Sequence, residues 1–231
     1  LSQRCPAPGV TEDAEEILAM IGRGETPAAA YALDDMARDV TGLMDALDIG
    51  QAHVFGISMG GAIAQILAAD HVDRLLSATI VMTAARLASP DLIGRVLVPR
   101  LDRDAFIEAA VMADREWGSP GFPMTEAAEV RAKAALAYDR GAEAEAVNRQ
   151  ALATMASGDR RERLRSVDLP CLVVHGGDDT LIPVDAGREI ASLIPGAEIE
   201  VIDGMGHVIT SGLAPLIVGM VDGFIRRRGR T

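Results

Sequence analysis

The sequence predicts an α/β fold, a mostly parallel sheet flanked by helices with a helical block inserted between two of its strands. Three observations point there. Helical and strand-like patterns alternate up to residue 85 and again after residue 166, as in a parallel sheet covered by helices. One short apolar run passes directly into a glycine-flanked serine and then a helix. Between the two alternating parts, residues 86–165 are rich in Ala, Glu and Arg and hold no strand-like run. The core is therefore expected in 1–85 and 166–231, with 86–165 as an inserted helical cap.

Pro6, Pro8 and Gly9 mark an opening loop, and 12–21 suits a short helix that Gly22, Gly24 and Pro27 stop. Leu33, Met36, Ala37, Val40, Leu43, Met44 and Leu47 recur at helical spacing and predict an amphipathic helix over 33–48. Residues 52–57 read as a buried strand, 62–69 as a helix and 78–83 as a second strand. The inserted block is punctuated by Ser119-Pro120-Gly121-Phe122-Pro123. Its Met112, Trp117, Phe122 and Met124 suit core packing, with a substrate-pocket lining as the alternative. A strand at 171–175, a helix at 184–193, a strand at 199–202 and a helix at 214–228 complete the chain.

The chain has 231 residues, 49% hydrophobic and 24% charged. That is enough apolar residue for one substantial core and excludes intrinsic disorder. A formal charge of −12 argues against a nucleic-acid partner. The basic run Arg226-Arg227-Arg228-Gly229-Arg230 reads as a solvated helix end that complements the helix dipole. No apolar run is long enough to cross a membrane. The two cysteines, Cys5 and Cys171, form no disulfide framework or metal cluster, which suits a reducing, cytoplasmic setting.

The sharpest chemical feature is Gly56-Ile57-Ser58-Met59-Gly60. It fits G-x-S-x-G between a strand and a helix, where a tight turn lifts a serine hydroxyl clear of the sheet. Gly56 and Gly60 are expected where strand and helix backbones approach closely. The helix N-terminus behind Ser58, beginning with the Met59 N–H, favours negative charge above the hydroxyl. A serine nucleophile needs a base. Of His53, His71, His175 and His207, the last lies in Gly204-Met205-Gly206-His207 after a strand, at the carboxyl edge where such sheets place their sites. An acid to orient that histidine is offered twice, by Asp178 and Asp179 in the loop after residue 175. No phosphate-binding loop, dinucleotide fingerprint or metal-ligand spacing is present, so no cofactor is implied.

These residues resemble the α/β-hydrolase fold family over nearly the whole chain. The carriers are the segment 31–39, the elbow 52–61, the acid loop 169–183 with Asp179 and Pro183, and Ile202-Asp203-Gly204-Met205-Gly206-His207. Within the family the chain is similar to small bacterial esterases of the aclacinomycin-methylesterase type, with Tyr138-Asp139-Arg140, Asn148-Arg149-Gln150 and Ser157-Gly158-Asp159-Arg160 carrying that likeness. The resemblance selects Asp179 over Asp178. It implies a serine esterase with Ser58 as nucleophile, His207 as base, Asp179 as acid and the Met59 amide as oxyanion donor. The expected partner is a small or medium apolar ester, with homo-oligomers possible. A perhydrolase, a lactonase, a C–C bond hydrolase, or a ligand-binding protein of weak activity are the alternatives on the same residues.

Leu1-Ser2 resembles the end of a G-x-S segment that follows the fourth strand in the family. The strands before it, and the loop that supplies a second oxyanion amide, have no counterpart in this sequence. The strand 52–57 is therefore expected at a sheet edge that a longer chain or another subunit covers.

Overall fold

In a computed structural model, residues 9–86 and 90–228 are described. Leu1-Ser2, Cys5, Pro6, Pro8, Gly229 and Arg230 lie outside the described residues. The element order is α1 (Ala14–Gly22), α2 (Leu33–Ala46), β1 (Ala52–Ile57), α3 (Met59–Asp70), β2 (Leu75–Val81), α4 (Pro90–Val96), α5 (Arg103–Glu116), α6 (Ala127–Asp139), α7 (Ala144–Ala156), α8 (Arg161–Arg165), β3 (Cys171–Gly176), α9 (Val184–Leu193), β4 (Glu198–Ile202) and α10 (Ala214–Arg228). A single 3₁₀ turn, Val72–Arg74, joins α3 to β2.

Among the described residues, four strands pair in parallel in the order β1-β2-β3-β4, with Ile57 opposite Val81, Val81 opposite Val174 and Gly176 opposite Ile202. Period-2 alternation divides the strand side chains between two faces. Ala78, Ile80, Cys171 and Val173 pack with α2, α3 and α9. Val81, Leu172 and Val174 pack with Ile217 and Phe224 of α10. Helix α8 packs against α3 and α9 through buried Leu164. A third cluster joins Ile17 of α1, Ile93 of α4 and Leu152 of α7.

Polar groups tie that third cluster together. Asn148 donates to the Glu12 and Val98 carbonyls at 2.8 and 3.0 Å and accepts from the Val98 N–H at 2.9 Å. Beside it, buried Arg149 pairs with Glu12 at 2.6 Å. Burial pushes the Cys171 thiol up to about 12, so it serves as a small apolar group.

Boundaries differ from the sequence reading by at most two residues, except at the starts of β2 and α3, which differ by three. β2 occupies 75–81 instead of 78–83, because pairing with β1 already starts at Leu75 and Met82 turns the chain out of the sheet with φ 39°. α3 begins at Met59, with Ser58 as its N-cap, three residues before the apolar helical pattern starts. The α2 stripe is used only in part. Leu33, Ala37 and Met44 are buried, whereas Leu43 and Leu47 are 60% and 61% exposed. β1 is an edge strand of the described sheet, with Phe55 47% and Ile57 37% exposed. Among the described residues, no helix is long and apolar enough to cross a membrane.

Ile80 is fully buried near the end of β2. Ile80→Ala is expected to destabilise the fold by about 2–5 kcal/mol, read as a lower urea midpoint at unchanged slope.

Candidate active site

All four strands point their carboxyl ends the same way, and the loops leaving them gather the site at one edge. Ser58 leaves β1 with φ 53° and ψ −118°, in the left-handed half of backbone space. Its N–H donates to the Val81 carbonyl of β2 at 2.9 Å. Gly56 is required, since a Cβ there would lie 2.2 Å from the Gly60 carbonyl oxygen. The expectation for Gly60 itself is corrected. A Cβ on Gly60 would meet open space, and it is the Gly60 backbone that crowds Gly56. Met59 is the first residue of α3, so its N–H has no acceptor within the helix.

The loop after β3 carries Asp179, whose carboxylate is fully buried. Its Oδ1 accepts the Leu181 and Ile182 N–H groups at 2.9 and 2.8 Å. Its Oδ2 lies 2.7 Å from His207 Nδ1. A carboxylate can only accept, which places the imidazole proton on Nδ1 and leaves Nε2 as an acceptor. His207 Nε2 lies 2.9 Å from Ser58 Oγ. Ser58, His207 and Asp179 thus meet in one hydrogen-bonded chain although 149 and 28 residues separate the successive partners. Asp178, the alternative acid, donates its backbone N–H to the Met205 carbonyl instead.

The remaining histidines are engaged elsewhere. His53 Nδ1 lies 2.7 Å from Ser77 Oγ. His71 caps α3 through its backbone. His175 is fully buried on β3, with Nε2 2.9 Å from the Ile182 carbonyl and 3.6 Å from Asp179 Oδ2. The carbonyl fixes its proton on Nε2, and Nδ1 has no hydrogen-bond partner among the described residues. Burial holds the His175 pKa below its ordinary 6.5, against the opposing pull of the Ile182 carbonyl and Asp179. Its neutral ring holds the Ile182 carbonyl, and the neighbouring N–H groups hold Asp179.

Ser119, which no sequence signal singled out, is fully buried beside His207. Its hydroxyl accepts the Gly206 N–H at 2.9 Å and donates to the Val208 carbonyl at 2.6 Å, bracketing the histidine on both sides. The His207 N–H donates to the Trp117 carbonyl at 2.7 Å, and the Gly121 N–H to the Gly204 carbonyl at 2.9 Å. Gly206 permits this contact, because a Cβ there would lie 1.9 Å from the Gly118 carbonyl oxygen.

A pocket of about 230 Å³ opens at Ser58 and Met59. Its apolar wall comes from Leu92, Ile93 and Val96 of α4 and Val147 and Ala151 of α7. The stripe Met112, Trp117, Phe122 and Met124 is not part of this lining. Met112 is 70% and Met124 40% exposed, while Phe122 packs against the α10 side of the core. Apolar residue type alone could not distinguish these positions from α4 and α7, because the distinction depends on which helix folds back over Ser58.

The alpha/beta hydrolase family profile matches residues 14–214. A 3-oxoadipate enol-lactonase of Acinetobacter baylyi is 28% identical over 182 residues, spanning 79% of this chain and 67% of that protein. A rhodomycin D methylesterase of Streptomyces peucetius is 26% identical over 204 residues, spanning 78% and 68%. The crystal structure of an enol-lactonase from Burkholderia xenovorans LB400 superposes with a TM-score of 0.67 at 28% identity, covering 87% of this chain and 76% of that one.

Two outcomes follow from the site's buried polar groups. Ser119→Ala leaves the Gly206 N–H without its acceptor and is expected to cost about 1–3 kcal/mol in urea unfolding. His175 takes up a proton near 6.5 when unfolded but resists it when folded, so the unfolded chain binds more protons and stability falls as pH drops below about 6.5. The urea midpoint is expected to fall more steeply from pH 7.5 to 5.5 in the wild type than in His175→Gln, and equal slopes would contradict this.

Proposed function

The chain belongs to the alpha/beta hydrolase family, and on that premise we propose that it cleaves carboxylic esters of small or medium, largely apolar molecules through an acyl-enzyme. The observation that carries the reading is the pair of contacts made by one imidazole, 2.9 Å to the Ser58 hydroxyl and 2.7 Å to the buried Asp179 carboxylate. In this reading Ser58 Oγ attacks the ester carbonyl while His207 Nε2 takes its proton. The Met59 N–H, at the start of α3, stabilises the oxyanion. The tetrahedral intermediate collapses, the ester C–O bond breaks, and His207 returns the proton to the departing alcohol. Water, deprotonated by the same imidazole, then releases the acid and restores Ser58. Asp179 holds the tautomer and stabilises the charged ring.

Helices of the 86–165 block form the cap in this reading, with α4 and α7 lending the pocket its apolar wall and selecting the substrate. A lactone is an internal ester and follows the same steps, and the enol-lactonase relatives favour including lactones in the substrate range. The chemistry draws on no cofactor.

A fluorophosphonate probe is expected to label the wild type at Ser58 and to leave Ser58→Ala unlabelled. Ser58→Ala is expected to lose roughly 10⁴-fold or more of kcat on p-nitrophenyl esters. A folded wild type that is neither labelled nor active would instead mark a ligand-binding protein on this fold.

A further inference from the structure

Among the described residues, two arginines are buried, Arg149 and Arg160. Arg149 has its carboxylate in Glu12, 2.6 Å away. Arg160 is 3% exposed and, among the described residues, has no carboxylate within ion-pair distance. Its guanidinium donates only to neutral acceptors, from Nε to Gln65 Oε1 at 3.2 Å, from Nη1 to the Gly158 carbonyl at 3.3 Å and from Nη2 to the Ala84 carbonyl at 2.9 Å. A guanidinium has five N–H groups, one on Nε and two on each terminal nitrogen, so one on each terminal nitrogen remains unused.

Arg160 lines the same pocket as Ser58. Arg86, an exposed residue, also lines that pocket, and none of its described lining residues is acidic. The two charged residues of the described lining are therefore both cations, inside a chain whose formal charge is −12. A buried charge without a counterion is strongly unfavourable. Burial lowers Arg160 only to about 10, so it stays protonated at neutral pH. The fold keeps the charge and points apolar side chains from α4 and α7 into the same pocket, and among the described residues Asp159 and Asp34 act on it only from beyond ion-pair distance.

We infer that the substrate is anionic, an ester or lactone with an apolar body and a carboxylate that Arg160 receives, with Arg86 adding charge at the pocket. This inference rests on the hydrolase reading proposed above for its ester, while the charge preference is a property of the pocket alone. A bound carboxylate would give Arg160 an ion-pair partner in direct contact and would fix which end of the molecule lies away from Ser58. Two unused N–H groups can accommodate its two oxygens.

The test is calorimetric titration of the full chain carrying Ser58→Ala, which turns over neither ligand, with monomethyl glutarate and with dimethyl glutarate at pH 7.5. The two share a carbon chain and differ in one negative charge. The monoester is expected to bind about tenfold more tightly, as one desolvated charge-assisted contact would provide. Adding Arg160→Gln is expected to abolish that preference, and adding Arg86→Gln to reduce it about threefold by removing an exposed charge. Equal or tighter binding of the diester overturns the inference. So does an Arg160→Gln protein in which both ligands weaken alike, the outcome of a purely structural clamp. If Arg160→Gln fails to fold, a preference untouched by Arg86→Gln overturns it. Failure of the hydrolase reading would show separately, as absent fluorophosphonate labelling of wild-type Ser58.

Discussion

The contact between the end of β1 and the start of α3 governs the site. Gly56 and the Gly60 carbonyl sit so close that no side chain fits between them. The chain can turn from strand to helix in that space only by putting Ser58 at φ 53°, a conformation costing an L-residue roughly 1–2 kcal/mol. The Ser58 N–H bond to Val81 and the packing of α3 against β1 and β2 hold it there. The strained residue is the one whose hydroxyl meets His207 Nε2.

The imidazole opposite is held with equal care by means of a different kind. No helix carries His207. It sits in a loop, and loops are positioned by their hydrogen bonds. Trp117 and Ser119, from the segment after α5, take the backbone groups on both sides of it. The inserted block therefore does more than roof the pocket, since it also sets the backbone that aims His207. A rearrangement at the end of α5 would be felt at the imidazole.

Behind the imidazole, the loop after β3 builds a small polar network in a dry environment. Asp179 accepts two backbone N–H groups on one oxygen and faces His207 with the other. His175 secures the Ile182 carbonyl of the same loop and leaves Nδ1 unpaired. In low dielectric such a network rigidifies what it satisfies. Among the described residues, His175 Nδ1 and Trp117 Nε1 are buried without a hydrogen-bond partner and Arg160 has no carboxylate within ion-pair distance, so the interior tolerates an unmet polar demand at each of them.

Ser58, His207 and Asp179 were legible in the sequence because each follows a strand at a short, glycine-marked turn, and strand-then-turn patterns are local. The resemblance to a family chose between Asp178 and Asp179, which turn chemistry alone left open. The parallel order of the strands followed from the alternation of elements, and the three residues converge because parallel strands end at one edge. The tertiary structure alone decided which helices line the pocket, that a serine from the inserted block brackets His207, and that among the described residues no carboxylate lies within ion-pair distance of Arg160. Those facts depend on contacts between segments distant in the chain. Ser119 and Gly206 are 87 residues apart, and Arg160 and Gln65 are 95 apart. No local pattern of residue types encodes such a pairing, because the same serine or arginine would read as solvated surface until the fold closes around it.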